Sequence, residues 1–146
     1  MKSINIGLLS AMPEEIGSTL ENMENITTST YGDLTIYYGK LKKQVPNYKS
    51  VYITLAWSGW GKVSAARAIT RILAGENKID LIIFTGVAGA ANKKLCQWDI
   101  VIANEIIQHD MDARPIFEKF VLPPLKKSKL KSDNFLKDWI TSSLTK

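Results

Sequence analysis

Pro13-Glu14-Glu15 sets two adjacent carboxylates just after a short apolar run, Ile4–Leu9. Proline suits the first turn of a helix, and the helix dipole favours negative charge there. A glutamate so placed at the mouth of a crevice stays ionised near neutral pH. Glu15 is then either a chemical group or a side chain that merely favours the helix, and the residues leave both open. Glu14 lies about 100° further round the helix and reads as solvated. Much other chemistry is excluded. Cys96 is the sole cysteine, so there is no intrachain disulfide and no CxxC site. His109 is the sole histidine, which rules out a multi-histidine metal centre.

The elements around Glu15 give it a setting. Ile4–Leu9 reads as a buried first strand, and the helix that begins at Pro13 is expected to reach about Met23. Thr27–Tyr31 and Leu34–Gly39 read as a hairpin turning at Gly32-Asp33. Val51–Trp57 is the next strand, and Ser58–Gly61 turns into a helix. That helix places Val63, Ala66, Ile69, Ile72 and Leu73 on one face and ends at Gly75. Ile79–Phe84 is a continuous apolar strand of the kind buried on both faces. Thr85–Ala90 is a loop of small residues, Asp99–Ile107 another strand, and Phe135, Leu136, Trp139, Ile140 and Leu144 line one face of a terminal helix. Alternating strands and helices imply an α/β fold, whose ligands bind at the carboxyl ends of the strands. Ser10–Glu15, Ser58–Gly61 and Thr85–Ala90 all lie at such ends.

The 146 residues are 45% hydrophobic and 23% charged, which excludes disorder or a coiled coil as the main architecture. Met1-Lys2-Ser3 and Ile4–Ala11 only mimic a signal peptide, because the apolar part is short and two glutamates follow. No apolar run approaches the roughly 20 residues that span a bilayer. Arg114–Lys146 holds eight basic and three acidic residues and so carries the whole net charge of +5. Lys126–Lys131 could bind phosphates. Without interleaved aromatics to stack on bases, it reads as a solvated loop, and no specific nucleic acid is expected.

Four segments in order resemble the nucleoside phosphorylase/nucleosidase superfamily, and within it the bacterial 5′-methylthioadenosine/S-adenosylhomocysteine nucleosidases. Ile6–Ile16 is similar to the family's opening strand and "GAMxEE" turn. Ser58–Val63 with Ala65-Ala66 resembles "SGIGKVxAA", Phe84–Gly89 resembles the "TGxAG" loop, and Asp99–Asp112 resembles "GDIVV…HDxD". The resemblance implies a three-layer α/β fold with a mixed, largely parallel central sheet, phosphorylase/hydrolase-like and incomplete on its C-terminal side. Residues 1–146 are then one nucleosidase-like domain, shortened relative to the family, with 114–146 as a divergent basic loop and helix. It implies hydrolysis of an N-glycosidic bond with release of adenine, without cofactor or metal, in the cytoplasm and in methionine salvage. The partners would be a nucleoside and a nucleophilic water, in a homodimer or with the family's C-terminal half, and no membrane.

An oxocarbenium-like transition state needs a carboxylate for the water, a second for the ribose hydroxyls and an acid for the leaving base. Glu15 matches the water-activating glutamate. Met12 matches an apolar residue beside the ribose, or plugs the core. Ser58 belongs to the second matching loop, and Trp60 narrows the 5′ subsite or caps the sheet. Val87, Ala88 and Gly89 bring backbone close to the nucleoside, or serve a tight turn; many members carry serine in place of Val87. His109 and Asp110 read as structural. Ala113, Ile116 and Phe117 fall where a 5′-alkylthio pocket at a dimer interface would be. The "MExE" segment that holds the ribose and the "SD" segment that protonates adenine have no counterpart, since Ser132-Asp133 lies in the basic loop. A phosphorylase-type enzyme and a non-catalytic nucleoside-binding remnant are the alternatives.

Overall fold

The computed structural model describes residues 2–144. Contacts divide the chain into two units, Met1–Gly89 and Ala90–Lys146.

In the first unit β1 (Lys2–Ser10), β2 (Met23–Tyr31), β3 (Leu34–Leu41), β4 (Tyr48–Trp57) and β5 (Leu81–Phe84) make one mixed sheet, in the order β2-β3-β4-β1-β5. The strands β4, β1 and β5 run parallel, while β2 and β3 form the expected hairpin and β3 pairs antiparallel with β4. Alternation along the strands gives the sheet two apolar faces. Leu9, Leu34, Ile36 and Ala56 pack with Ala68 and Ile72 of α1 (Lys62–Leu73) on one face. Val51, Ile53 and Leu55 pack with Met23 and Ile16 on the other. The hairpin is clasped to α1 from outside: the Arg67 guanidinium pairs with both Asp33 oxygens, and Arg71 lies 3.6 Å from the centre of the Tyr31 ring.

Three expectations in this unit are corrected. The helix from Pro13 is a 3₁₀ turn, Pro13–Thr19, and Met23 already opens β2. Gly17, at φ 57° and ψ −139°, takes a backbone that no helix continues and that glycine adopts readily. The kink lets Ile16 and Met23 reach the same core. On α1 the inward stripe is Ala65, Ala68, Ile69 and Ile72, an i, i+3, i+4, i+7 set. Val63 and Leu73 are exposed, as is Ala66. Ile79–Phe84 shrinks to a four-residue strand at the sheet edge, with Leu81 and Ile83 half-buried and Ile82 and Phe84 exposed. Among the described residues only β1 pairs with it, so its outer edge stays unpaired.

In the second unit Asp99–Ile107 is strand only at β6 (Glu105–Ile106), which pairs antiparallel with β7 (Leu130–Lys131). A strand needs a ladder partner, and β7 offers two residues of one; Ile100 and Val101 stay exposed. The basic segment is partly ordered rather than wholly loop: Lys127 accepts from the Leu122 N–H, and Lys129 pairs with Glu105 at 2.8 Å. The helix α2 (Asn134–Leu144) buries no residue; Leu136 and Ile140 are half-buried, while Phe135, Trp139 and Leu144 are exposed. No helix among the described residues is long and apolar enough to cross a membrane.

Candidate active site

Because β4, β1 and β5 are parallel neighbours, their carboxyl ends lie side by side and bring three loops together. The pairing continues past the strands. Ser58 N–H donates to Ser10 O (2.8 Å) and Gly59 N–H to Ala11 O (3.0 Å), while Thr85 N–H donates to Leu9 O (3.0 Å).

Glu15 sits at this junction, half-buried. Its Oε2 accepts the N–H groups of Ala11 (2.8 Å) and Met12 (3.0 Å), and its Oε1 accepts the Val87 N–H (3.0 Å). The Val87 N–H is the strongest influence holding the carboxyl below its usual pKa, with Ala11 and Met12 adding to it and partial burial opposing them. A carboxylate offers about four acceptor positions, so one on Oε1 stays open. Gly86 makes room for this: a Cβ there would meet Oε1 at 2.8 Å.

The other expected residues divide by place. Met12 is half-buried and contributes its N–H. Ser58 is buried and spends its hydroxyl on backbone, with Oγ 2.7 Å from Gly59 O and 3.3 Å from Ser10 O. Trp60, at 79% exposure, and Val87, at 81%, face outward with Ala88 and Gly89. Ala113, Ile116 and Phe117 belong to the second unit, where the N–H groups of Ile116 and Phe117 both donate to Ala113 O. His109 and Asp110 are exposed in that unit. Asp112 there binds Arg114 through both carboxylate oxygens, at 2.9 and 2.6 Å, and its pKa falls to about 2. Among the described residues no cluster of three or more His, Cys, Asp or Glu could hold a metal ion. Three residues escaped the sequence reading: Ala11 as a donor, Gly86 as the gap and Ser10 as a buried hydroxyl. Of these only Gly86 carried a signal, as the small residue beside a suspected site.

A model of the phosphorylase superfamily matches residues 5–144. The chain belongs to the phosphorylase superfamily. The superfamily match runs through Arg114–Leu144, where the quoted motifs give out. A 5′-methylthioadenosine/S-adenosylhomocysteine nucleosidase of Staphylococcus haemolyticus is 35% identical over 131 residues, covering 90% of this chain and 54% of the relative. The Neisseria meningitidis nucleosidase of that name, solved with methylthio-immucillin-A, superposes with a TM-score of 0.77 at 33% identity, over 90% of this chain and 54% of its own. The Streptococcus pyogenes S-adenosylhomocysteine nucleosidase, solved with 5-methylthiotubericidin, gives 0.83 at 27% identity, over 99% and 58%. This phosphorylase-superfamily chain thus spans about half the length of the curated relatives it matches.

Proposed function

We propose that this chain supplies the water-activating part of an enzyme that hydrolyses the N-glycosidic bond of 5′-methylthioadenosine and S-adenosylhomocysteine, releasing adenine. One observation carries the reading: a carboxylate fixed by three backbone N–H groups from two strand-end loops, with one acceptor position left open. A water donating to that position on Glu15 Oε1 is oriented for attack on the anomeric carbon. As its oxygen bonds to that carbon, its proton passes to the carboxylate and the glycosidic electron pair leaves with adenine. Fixed donors keep Glu15 ionised and in place, so orientation is set before reaction. Met12 and Trp60 line the ribose and 5′ side, Ser58 shapes the loop beside them, and Val87, Ala88 and Gly89 offer backbone to the nucleoside. Ala113, Ile116 and Phe117, in the second unit, serve a 5′-alkylthio pocket at a dimer interface. Both units belong to one nucleosidase-like domain, 114–146 being its divergent end, and it works in the cytoplasm, in methionine salvage, as a homodimer or with a chain carrying the family's second half.

Adenine release from methylthioadenosine by the purified chain tests this. The leaving-group acid and the ribose carboxylate have no counterpart here, and general acid catalysis alone is worth about 10²–10⁴-fold. The expected rate is lower than the full-length relatives' by at least that factor, and Glu15→Gln removes what remains. Release at the relatives' rate, or the same residual rate from Glu15→Gln, would overturn the reading.

A further inference from the structure

The turn that delivers Glu15 starts from a peptide that cannot anchor itself. Peptide planes are rigid, so fixing either the carbonyl or the N–H of a peptide fixes both. The Ser10–Ala11 peptide is held by Ser58 N–H on its carbonyl, and the Ala11–Met12 peptide by Gly59 N–H. Those two bonds aim the Ala11 and Met12 N–H groups at Oε2. The Met12–Pro13 peptide has no N–H, because proline lacks one. Its plane is set through the Met12 carbonyl alone, and Glu15 N–H reaches that carbonyl only at 3.2 Å. The short bond comes from Ser10, the last residue of β1, whose hydroxyl donates to Met12 O at 2.8 Å. Ser10 is fully buried and Met12 half-buried, so the bond is partly shielded from competing water. The motif this turn resembles has glycine at that position, and glycine has no hydroxyl to give.

We propose that Ser10 is a positioning residue for Glu15: its hydroxyl pins the Met12–Pro13 peptide and so fixes where the turn leaves the sheet and where the Glu15 carboxylate arrives. This rests on the reading of Glu15 as the water-activating group. Without that hydroxyl the proline peptide swings about the Met12 bonds, and the carboxylate reaches its three donors less often.

The test is a carboxyl-carbon NMR titration of Glu15, with amide exchange measured at Glu15 and at the buried Leu55 of β4, for the whole chain and for Ser10→Ala. The expected result is a Glu15 midpoint raised by about a few tenths of a pH unit, a fraction of what one hydrogen bond is worth. Glu15 amide exchange quickens several-fold while Leu55 exchange is unchanged. A general loosening of the fold would move Leu55 as well, and that outcome overturns the proposal. So does an unchanged midpoint with unchanged Glu15 exchange. If Ser10→Ala does not fold, Ser10→Gly, the residue of the related motif, carries the same measurements. None of these readouts needs turnover. Their failure leaves the adenine-release test standing, and failure of adenine release leaves the role of Ser10 in the turn intact.

Discussion

Replacing Gly86 by alanine separates the site from the fold. Gly86 does not use the left-handed backbone region, so alanine can adopt its conformation. The added Cβ would lie 2.8 Å from Glu15 Oε1, 3.0 Å from Cδ and 3.2 Å from Oε2, against about 3.4 Å for ordinary contact. The carboxylate must therefore retreat by about 0.6 Å. It is the far end of a flexible side chain and can do so with little cost to the sheet. Retreat from residue 86 is also retreat from the neighbouring Val87 N–H, and 3.0 Å lengthens toward about 3.6 Å, beyond a hydrogen bond. The Val87 N–H is the strongest influence lowering the Glu15 pKa, so its loss raises the titration midpoint toward the ordinary glutamate range. Stability that depends on ionised Glu15 is present above the unfolded pKa and lost as pH falls through the lower folded value. In the variant that contribution is smaller, and its loss is complete at a higher pH. Carboxyl-carbon NMR titration reads the midpoint, and thermal unfolding checks that the melting temperature holds within a few degrees. An unmoved midpoint in a folded Gly86→Ala chain would refute the geometry claimed for Glu15.

Other consequences follow from the same structure. Ile72 is 2% exposed beneath α1, so Ile72→Ala is expected to cost about 2–5 kcal/mol in chemical denaturation; a cost under about 1 kcal/mol would contradict the packing of α1 on the sheet. The Asp112 carboxyl, held at about 2 by hydrogen bonds from the Arg114 side chain and backbone, contributes stability that is present above about 3.9 and is lost as pH falls through about 2. Arg114→Ala returns its NMR midpoint toward the ordinary value of 3.8, and an unchanged midpoint would deny the pair. The open edge of β5, with Phe84 at 64% exposure, invites pairing with another chain. Sedimentation equilibrium at micromolar concentration is expected to show dimers or larger species, and a monodisperse 16 kDa monomer would contradict this.

What the sequence disclosed follows from which signals are local. The Gly32-Asp33 hairpin and the apolar runs of β1 and β4 declare themselves through turn chemistry and alternation, and the three strand-end loops follow from their order. The helix at Pro13 failed because Gly17 breaks it, a choice governed by what Ile16 and Met23 must cover rather than by propensity. The buried face of α1 is rotated part-way from the expected one, since Val63 and Leu73 fit an apolar pattern as well as Ala65 and Ala68 do. Asp99–Ile107 has strand composition, yet a strand exists only where a partner lies alongside, and composition carries no such information. At the site, the first-turn position of Glu15 was legible. Its three donors were not, because they come from backbone N–H groups, which any residue but proline can supply. The hydroxyl of Ser10 was silent for a related reason: a serine ending a buried strand looks like any small residue.

The central claim is that the Glu15 carboxylate activates water against an N-glycosidic bond. It is tested most directly by fusing residues 1–144 to the second half of the Staphylococcus haemolyticus relative and measuring adenine release from 5′-methylthioadenosine. The fusion is expected to release adenine, and Glu15→Gln in the same folded fusion to lower the rate by about 10²–10⁴-fold. A folded fusion in which Glu15→Gln releases adenine as fast as its parent would contradict the claim.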